Sequence, residues 1–189
     1  MSVRLVKPAD FKLMPWKNGR GTTTELFRED DAEGMLWRLS AADVIEAGDF
    51  SVFSGVDRVL MLLEGQGFDL DFGENGRASV FEPLVPVRFS GDWTTRAENV
   101  RGPSRDLNLM LAGGRAVAEV SVVRGSAAAP LADRSLFLAT DGSFRIAVGS
   151  SEYHLAAGEL LVVSDSAGTE AEASGSGALA RMDIALPRD

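Results

Sequence analysis

The stretch Val59-Leu60-Met61-Leu62-Leu63-Glu64-Gly65-Gln66-Gly67-Phe68-Asp69-Leu70-Asp71-Phe72-Gly73 holds the signals that decide the fold. Val59 to Leu63 is an unbroken apolar run, the pattern of a deeply buried strand. Glu64-Gly65-Gln66-Gly67 then supplies turn chemistry, because glycine reaches backbone conformations closed to other residues. Phe68, Leu70 and Phe72 alternate with Asp69 and Asp71, so the second strand has one buried face and one wet face, with the two acids as solvated surface.

On either side the same grammar repeats. Short apolar segments predict further strands over Leu36 to Val44, Arg58 to Glu64, Val85 to Phe89, Leu107 to Leu111, Val117 to Val123, Ser135 to Ala139, Phe144 to Val148, Leu160 to Ser164 and Leu179 to Leu186. Gly73-Glu74-Asn75-Gly76, Ser90-Gly91-Asp92 and Asp141-Gly142 read as the turns between them. Many short strands at this spacing predict an all-β sandwich or barrel.

The stretch from Val59 has a loose echo in Leu136-Phe137-Leu138-Ala139-Thr140-Asp141-Gly142-Ser143-Phe144-Arg145-Ile146-Ala147-Val148-Gly149-Ser150, where an apolar strand again meets an acid-Gly turn and an alternating strand ends in glycine. The echo suggests two similar β-rolls in tandem, a first over 1–124 and a smaller second over 125–189. Their expected boundary is Gly125 to Pro130, which lacks a strand pattern. Ser166 to Gly177 is small, acidic and rich in Gly and Ser, and is expected to be a mobile loop before the last strand.

A chain of 189 residues buries roughly 70% of its extended surface on folding, enough for a sizeable core. It has no cysteine, which excludes disulfides, thiolate metal sites and thiol nucleophiles. A net charge of −9 repels a phosphate backbone, so nucleic acid is not an expected partner. The opening Met1-Ser2-Val3-Arg4-Leu5-Val6 has no apolar stretch of signal-peptide length, and no apolar run is long enough to span a membrane. The expectation is a cytoplasmic protein without a membrane partner.

Chemistry-bearing residues are few. The one histidine, His154, lies between Tyr153 and Leu155 in a predicted strand and makes a poor transition-metal site alone. It reads as structural or exposed, with a His-dependent acid/base role as the other option. No metal and no cofactor are expected. Met14-Pro15-Trp16-Lys17-Asn18-Gly19-Arg20-Gly21-Thr22-Thr23-Thr24-Glu25 combines a cation, an amide and glycines beside an aromatic. It can be read as a backbone nest for an anion, or as a Gly-rich turn into a Thr-rich edge strand with Trp16 in the core. Arg38, Arg58 and Arg105 are candidates to grip a carboxylate through the planar guanidinium fork, while each taken alone reads first as a salt bridge at a strand end. Arg58 stands out as one charge at the mouth of an apolar strand. Asp106 and Asn108 sit two apart, so on a strand they share a face opposite Leu107 and Leu109. Facing inward, they would make a wet cavity.

Met14-Pro15-Trp16-Lys17-Asn18-Gly19, Gly21-Thr22-Thr23, Trp37-Arg38-Leu39-Ser40-Ala41-Ala42, Phe50-Ser51-Val52-Phe53-Ser54-Gly55-Val56-Asp57-Arg58, Leu63-Glu64-Gly65-Gln66-Gly67 and Arg105-Asp106-Leu107-Asn108-Leu109-Met110 together resemble the HutD/Ves family. The resemblance covers about residues 4 to 124. It implies a double cupin, two tandem jelly-roll type β-barrels in one chain. It also implies a non-enzymatic role beside bacterial histidine utilisation, moderating pathway output by binding a small carboxylate such as formylglutamate or urocanate. On that view Trp16, Lys17, Asn18, Arg38, Arg58, Asp106 and Asn108 line the ligand pocket, with Arg58 as the carboxylate clamp. The partner is then a small anionic metabolite, with room for a homodimer. Arg20 and Ser54 depart from the family's usual glycine and proline. The alternative is a metal-independent cupin enzyme, an isomerase or lyase acting on a small sugar or amino-acid derivative, with His154, Glu25 or Glu64 removing a proton.

Overall fold

The computed structural model describes residues 1–15 and 21–187. The chain opens with β1 (Ser2–Val6), followed by β2 (Lys12–Pro15), β3 (Thr22–Asp31), β4 (Gly34–Val44), β5 (Gly48–Asp49) and β6 (Val56–Gly65). Next come β7 (Phe68–Asp71), β8 (Arg77–Val80), β9 (Val87–Ser90), β10 (Arg96–Glu98), β11 (Ser104–Ala112) and β12 (Val117–Val123). The last strands are β13 (Ser126–Pro130), β14 (Arg134–Val148), β15 (Ser151–Ala156), β16 (Leu160–Ser164) and β17 (Glu170–Ala185). The described residues otherwise contain only two short 3-10 turns, and no helix among them is long and apolar enough to cross a membrane. The all-β expectation holds.

The chain divides into two compact units, one made of Met1–Asp10 with Ala116–Asp189 and the other of Phe11–Arg115. The expected division at 124/125 falls instead inside the first of these. The reason is strand pairing: β1 pairs antiparallel with β16, while β12 and β13 both pair with β17. Gly125 to Pro130 carries no strand pattern in sequence, yet Ser126–Pro130 forms β13 because β17 offers it a hydrogen-bonding edge. Two further expectations are corrected in this unit. Asp141-Gly142 is not a hairpin turn; β14 runs through it with Thr140 as the extra residue of a register shift between Ala139 and Asp141, and with Gly142 at φ +70°. Most of the stretch expected as a mobile loop, Ser166 to Gly177, is the first half of β17. Ala171 and Ala173 are buried there with Phe144, Ile146 and Leu161, so small residues serve packing.

Residues 11–115 build a six-stranded sheet in the order β2-β3-β4-β11-β6-β9 and a four-stranded sheet in the order β5-β10-β7-β8. The alternation of Phe68, Leu70 and Phe72 with half-buried Asp69 and Asp71 is as expected, and the three apolar side chains join Val44, Leu60, Leu62, Val80 and Phe89 in one core. That core lies between the two sheets, because its members come from β4, β6 and β9 on one side and β7, β8 and β10 on the other. Hydrogen bonding among the described residues closes none of the sheets of the chain into a barrel.

The turn Glu64-Gly65-Gln66-Gly67 is fastened to the start of β11. Gly65 pairs with Ser104, and the Gly67 amide donates to the Ser104 hydroxyl at 2.8 Å. Gly65 holds φ +103°, and a β-carbon there would lie 2.3 Å from the Pro103 carbonyl oxygen. Immediately beyond, Arg105 pairs with Glu64 but Asp106 pairs with Leu62, so Leu63 is the extra residue of a β-bulge. Because Gly65 lacks both the conformational penalty and the clash, Gly65→Ala is expected to destabilise the protein by about 2–4 kcal/mol. Urea unfolding would register this as a lower midpoint with an unchanged slope; a loss under about 0.5 kcal/mol would contradict the assignment.

Candidate functional site

The pairing of β6, β11 and β4 sets facing residues in rows: Arg58 with Met110 and Arg38, Leu60 with Asn108 and Ser40, Leu62 with Asp106 and Ala42. Side chains alternate along a strand, so these residues share one face of the sheet. Trp37, Leu39, Leu107 and Leu109 lie on the other face and are fully buried. Asp106 and Asn108 therefore do share a face opposite Leu107 and Leu109. That face is the wall of a cavity of about 590 Å³ within residues 11–115, which Met14, Pro15, Thr23, Phe50 and Phe53 also line.

Arg58 is only 4% exposed. Its guanidinium carbon lies 4.7 Å from the ring centre of Phe89, 5.4 Å from that of Phe53 and 5.5 Å from that of Phe50. Such cation–π contacts are worth about 2 kcal/mol when desolvated, and they hold the charge without neutralising it. Among the described residues its one hydrogen bond is from Nε to Asn108 Oδ1, at 3.5 Å. Burial pushes its pKa down to about 10, against the pull of Asp106 and helped by the repulsion of Arg38. Arg58 thus remains a cation at neutral pH and is one of the residues that line the cavity.

Asp106 is 1% exposed, and neither carboxylate oxygen finds a hydrogen-bond partner among the described residues. Burial pushes its pKa up to about 7; Arg58 opposes this, Asp43 adds to it and Arg105 subtracts. Arg38 is different, because its Nε donates to Glu25 Oε2 at 2.7 Å and its charge is answered inside the wall. Arg105, the third arginine singled out in the sequence, is not brought to the cavity. Its Nη1 donates to Asp43 at 2.9 Å and its Nη2 to Thr24 at 3.0 Å, on the opposite face of the sheet from Asp106.

Trp16, Lys17 and Asn18 lie outside the described residues, as does Arg20, while Met14 and Pro15 just before them line the cavity. Ser54 is exposed in a turn. His154 is on β15 with its side chain 76% exposed, 3.6 Å from Glu152. Glu64 is exposed and Glu25 is tied to Arg38, so none of the three residues named as proton acceptors stands free at the cavity wall. The ring cage of Phe50, Phe53 and Phe89 escaped residue-by-residue reading. Phe50 and Phe53 sit in a segment without strand periodicity, and β9 brings Phe89 opposite Arg58 only through sheet pairing. Among the described residues no group of three or more His, Cys, Asp or Glu could hold a metal ion.

The HutD family model matches residues 8–181. An uncharacterised 21.2 kDa protein from the region 3′ of hutC in Pseudomonas putida is 38% identical over 118 residues, 60% of each chain. Protein Ves from Citrobacter koseri is 37% identical over 118 residues, 60% of this chain and 61% of its own. The match thus spans about three-fifths of the length of these curated relatives. The structure of HutD from Pseudomonas fluorescens SBW25, in a formate condition, superposes with a TM-score of 0.85 at 29% identity, over 99% of this chain and 100% of that one. A cupin 2 conserved barrel domain protein from Leptotrichia buccalis gives 0.55 at 11% identity, over 93% and 96%, a likeness of fold alone.

The unpartnered carboxyl has a measurable consequence. Asp106 titrates near 7 when folded and near its ordinary value of 3.8 when unfolded, so between those values the folded state binds more protons. Stability contributed by this group is present below about pH 4 and is lost as pH rises toward 7. Asp106→Asn removes the loss, and is expected to exceed wild type by about 2–4 kcal/mol at pH 8, with the gap closing at pH 4. Urea unfolding at both pH values checks this; a gap that does not change with pH would contradict it.

Proposed function

This chain belongs to the HutD family, and from that premise we propose that it is a non-enzymatic, cytoplasmic binding protein for a small organic carboxylate. The observation that carries the reading is Arg58, a buried cation with no carboxylate partner among the described residues, facing a cavity of about 590 Å³. A desolvated, uncompensated charge costs several kcal/mol, and a guest's carboxylate would offset that cost with charge-assisted hydrogen bonds. The volume is in the range of small-metabolite pockets. Arg58 serves as the clamp, Arg38, Asp106 and Asn108 line the same wall, and Trp16, Lys17 and Asn18 are assigned to the pocket on the family pattern alone. Each unit is read as one cupin roll, giving a double cupin.

The pathway follows from kinship. A relative encoded beside hutC and a solved homologue called HutD support a role in histidine utilisation, where the protein would moderate output by holding an intermediate such as N-formylglutamate or urocanate. One observation favours a second reading, a metal-independent isomerase or lyase: a carboxyl titrating near 7 at a cavity wall is poised as a general base. Incubating substoichiometric protein with each acid and following its NMR spectrum separates the two, since binding alone leaves the acid unchanged.

Thermal unfolding with each acid, in the presence of a chelator, tests the leading reading. At a ligand concentration about 100 times Kd, stabilisation is about 2.7 kcal/mol, which raises Tm by several degrees. Arg58→Gln should abolish the shift. A broad panel of small carboxylates that leaves the wild-type Tm unmoved would overturn the proposal.

A further inference from the structure

The cavity carries two unanswered charges of opposite sign, and the carboxylate reading uses only one of them. Both oxygens of Asp106 are buried without a partner among the described residues, at the wall that Arg58 also lines. The two do not collapse into an ion pair, because strand register separates them. Arg58 stands across from Met110, and Asp106 is four residues away along β11, with Asn108 between them accepting from Arg58. Met110 and Asp106 are two same-face steps apart on β11, roughly 13 Å, and Arg58 covers the first step by reaching Asn108, which leaves one step of about 7 Å to Asp106. Two hydrogen bonds of about 2.9 Å each, with a short ligand segment between them, span such a gap.

We infer that Asp106 accepts a hydrogen bond from an N–H group of the guest while Arg58 holds its carboxylate, so that the preferred ligand is a carboxylic acid bearing an N–H donor a few atoms away. This rests on the carboxylate reading above. A guest that turned a second carboxylate toward Asp106 would set negative charge against it, whereas an amide or imidazole N–H at that point satisfies it. The other charged groups around Asp106 do not substitute for the guest. Arg38 on β4 is paired with Glu25 on β3, and Asp43 on β4 is paired with Arg105 on β11. The raised pKa of Asp106 fits an acceptor left waiting for a donor.

The test uses a matched pair of acids, N-formylglutamate and N-formyl-N-methylglutamate, which share both carboxylates and differ in the N–H. Titration calorimetry at pH 8 should give wild type roughly a tenfold or greater preference for the N–H member, as expected for a hydrogen bond to a charged acceptor. The preference should fall to within about twofold in Asp106→Leu and be partly kept in Asp106→Asn, whose amide oxygen still accepts. In wild type it should also shrink at pH 5.5, where the carboxyl is protonated, a readout that needs no variant to fold. Equal affinities in wild type, a preference that persists undiminished in Asp106→Leu, or one that does not shrink at low pH would each overturn the inference and leave the carboxylate reading standing. If wild type binds neither acid at millimolar concentration, both fall together.

Discussion

One buried guanidinium and one buried carboxyl share a cavity without pairing, and the rest of the site follows from how the strands keep them apart. Left free, the two would form a salt bridge and answer each other's desolvation. Register prevents this: the β6–β11–β4 pairing puts Arg58 and Asp106 in different rows, with Asn108 in the row between. Asn108 takes one Arg58 donor, and three phenylalanine rings surround the remaining charge. Aromatic faces attract a cation but offer it no acceptor. Charge is therefore held in place and left available.

The scaffold is rigid where this needs it. Leu60 and Leu62, on the same face of β6 as Arg58, enter the core between the two sheets of residues 11–115, so a slip of β6 by one residue would turn all three to the other face, taking both leucines out of that core and Arg58 out of the cavity. The turn at Gly65 and the bulge at Leu63 fix where β11 begins relative to β6. Asp106 follows directly after that bulge, so the register that buries it is set by the same turn that a larger residue at Gly65 would break. Local instability at Asp106 is offset by packing elsewhere, a common pattern at functional sites. It also suits an acidic chain, since a net charge of −9 gives an approaching anion no long-range attraction and leaves recognition to local geometry.

Much of the fold and half of the site were legible in the sequence. The apolar run after Arg58 and the two-residue spacing of Asp106 and Asn108 contain their own structural meaning, because strand periodicity alone decides which residues share a face. Arg105 could not be told from Arg58 by this route: both flank apolar strands, and only the pairing partner Asp43, 62 positions away in the chain, separates them. β13 and the first half of β17 were hidden because Ala, Ser and Gly carry little strand signal, and a long partner strand supplied what propensity did not. The grouping of Met1–Asp10 with Ala116–Asp189 was hidden for a different reason, since the pairing of Ser2–Val6 with Leu160–Ser164 links distant segments that share no pattern. The ring cage depends on three separate elements meeting, which no local window contains.

A crystal structure of the protein soaked with N-formylglutamate tests the central claim most directly. The account predicts a ligand carboxylate within about 3 Å of the Arg58 guanidinium nitrogens, inside the ring cage. Density placing the acid elsewhere, with Arg58 still facing an empty cavity at saturating ligand, would contradict it.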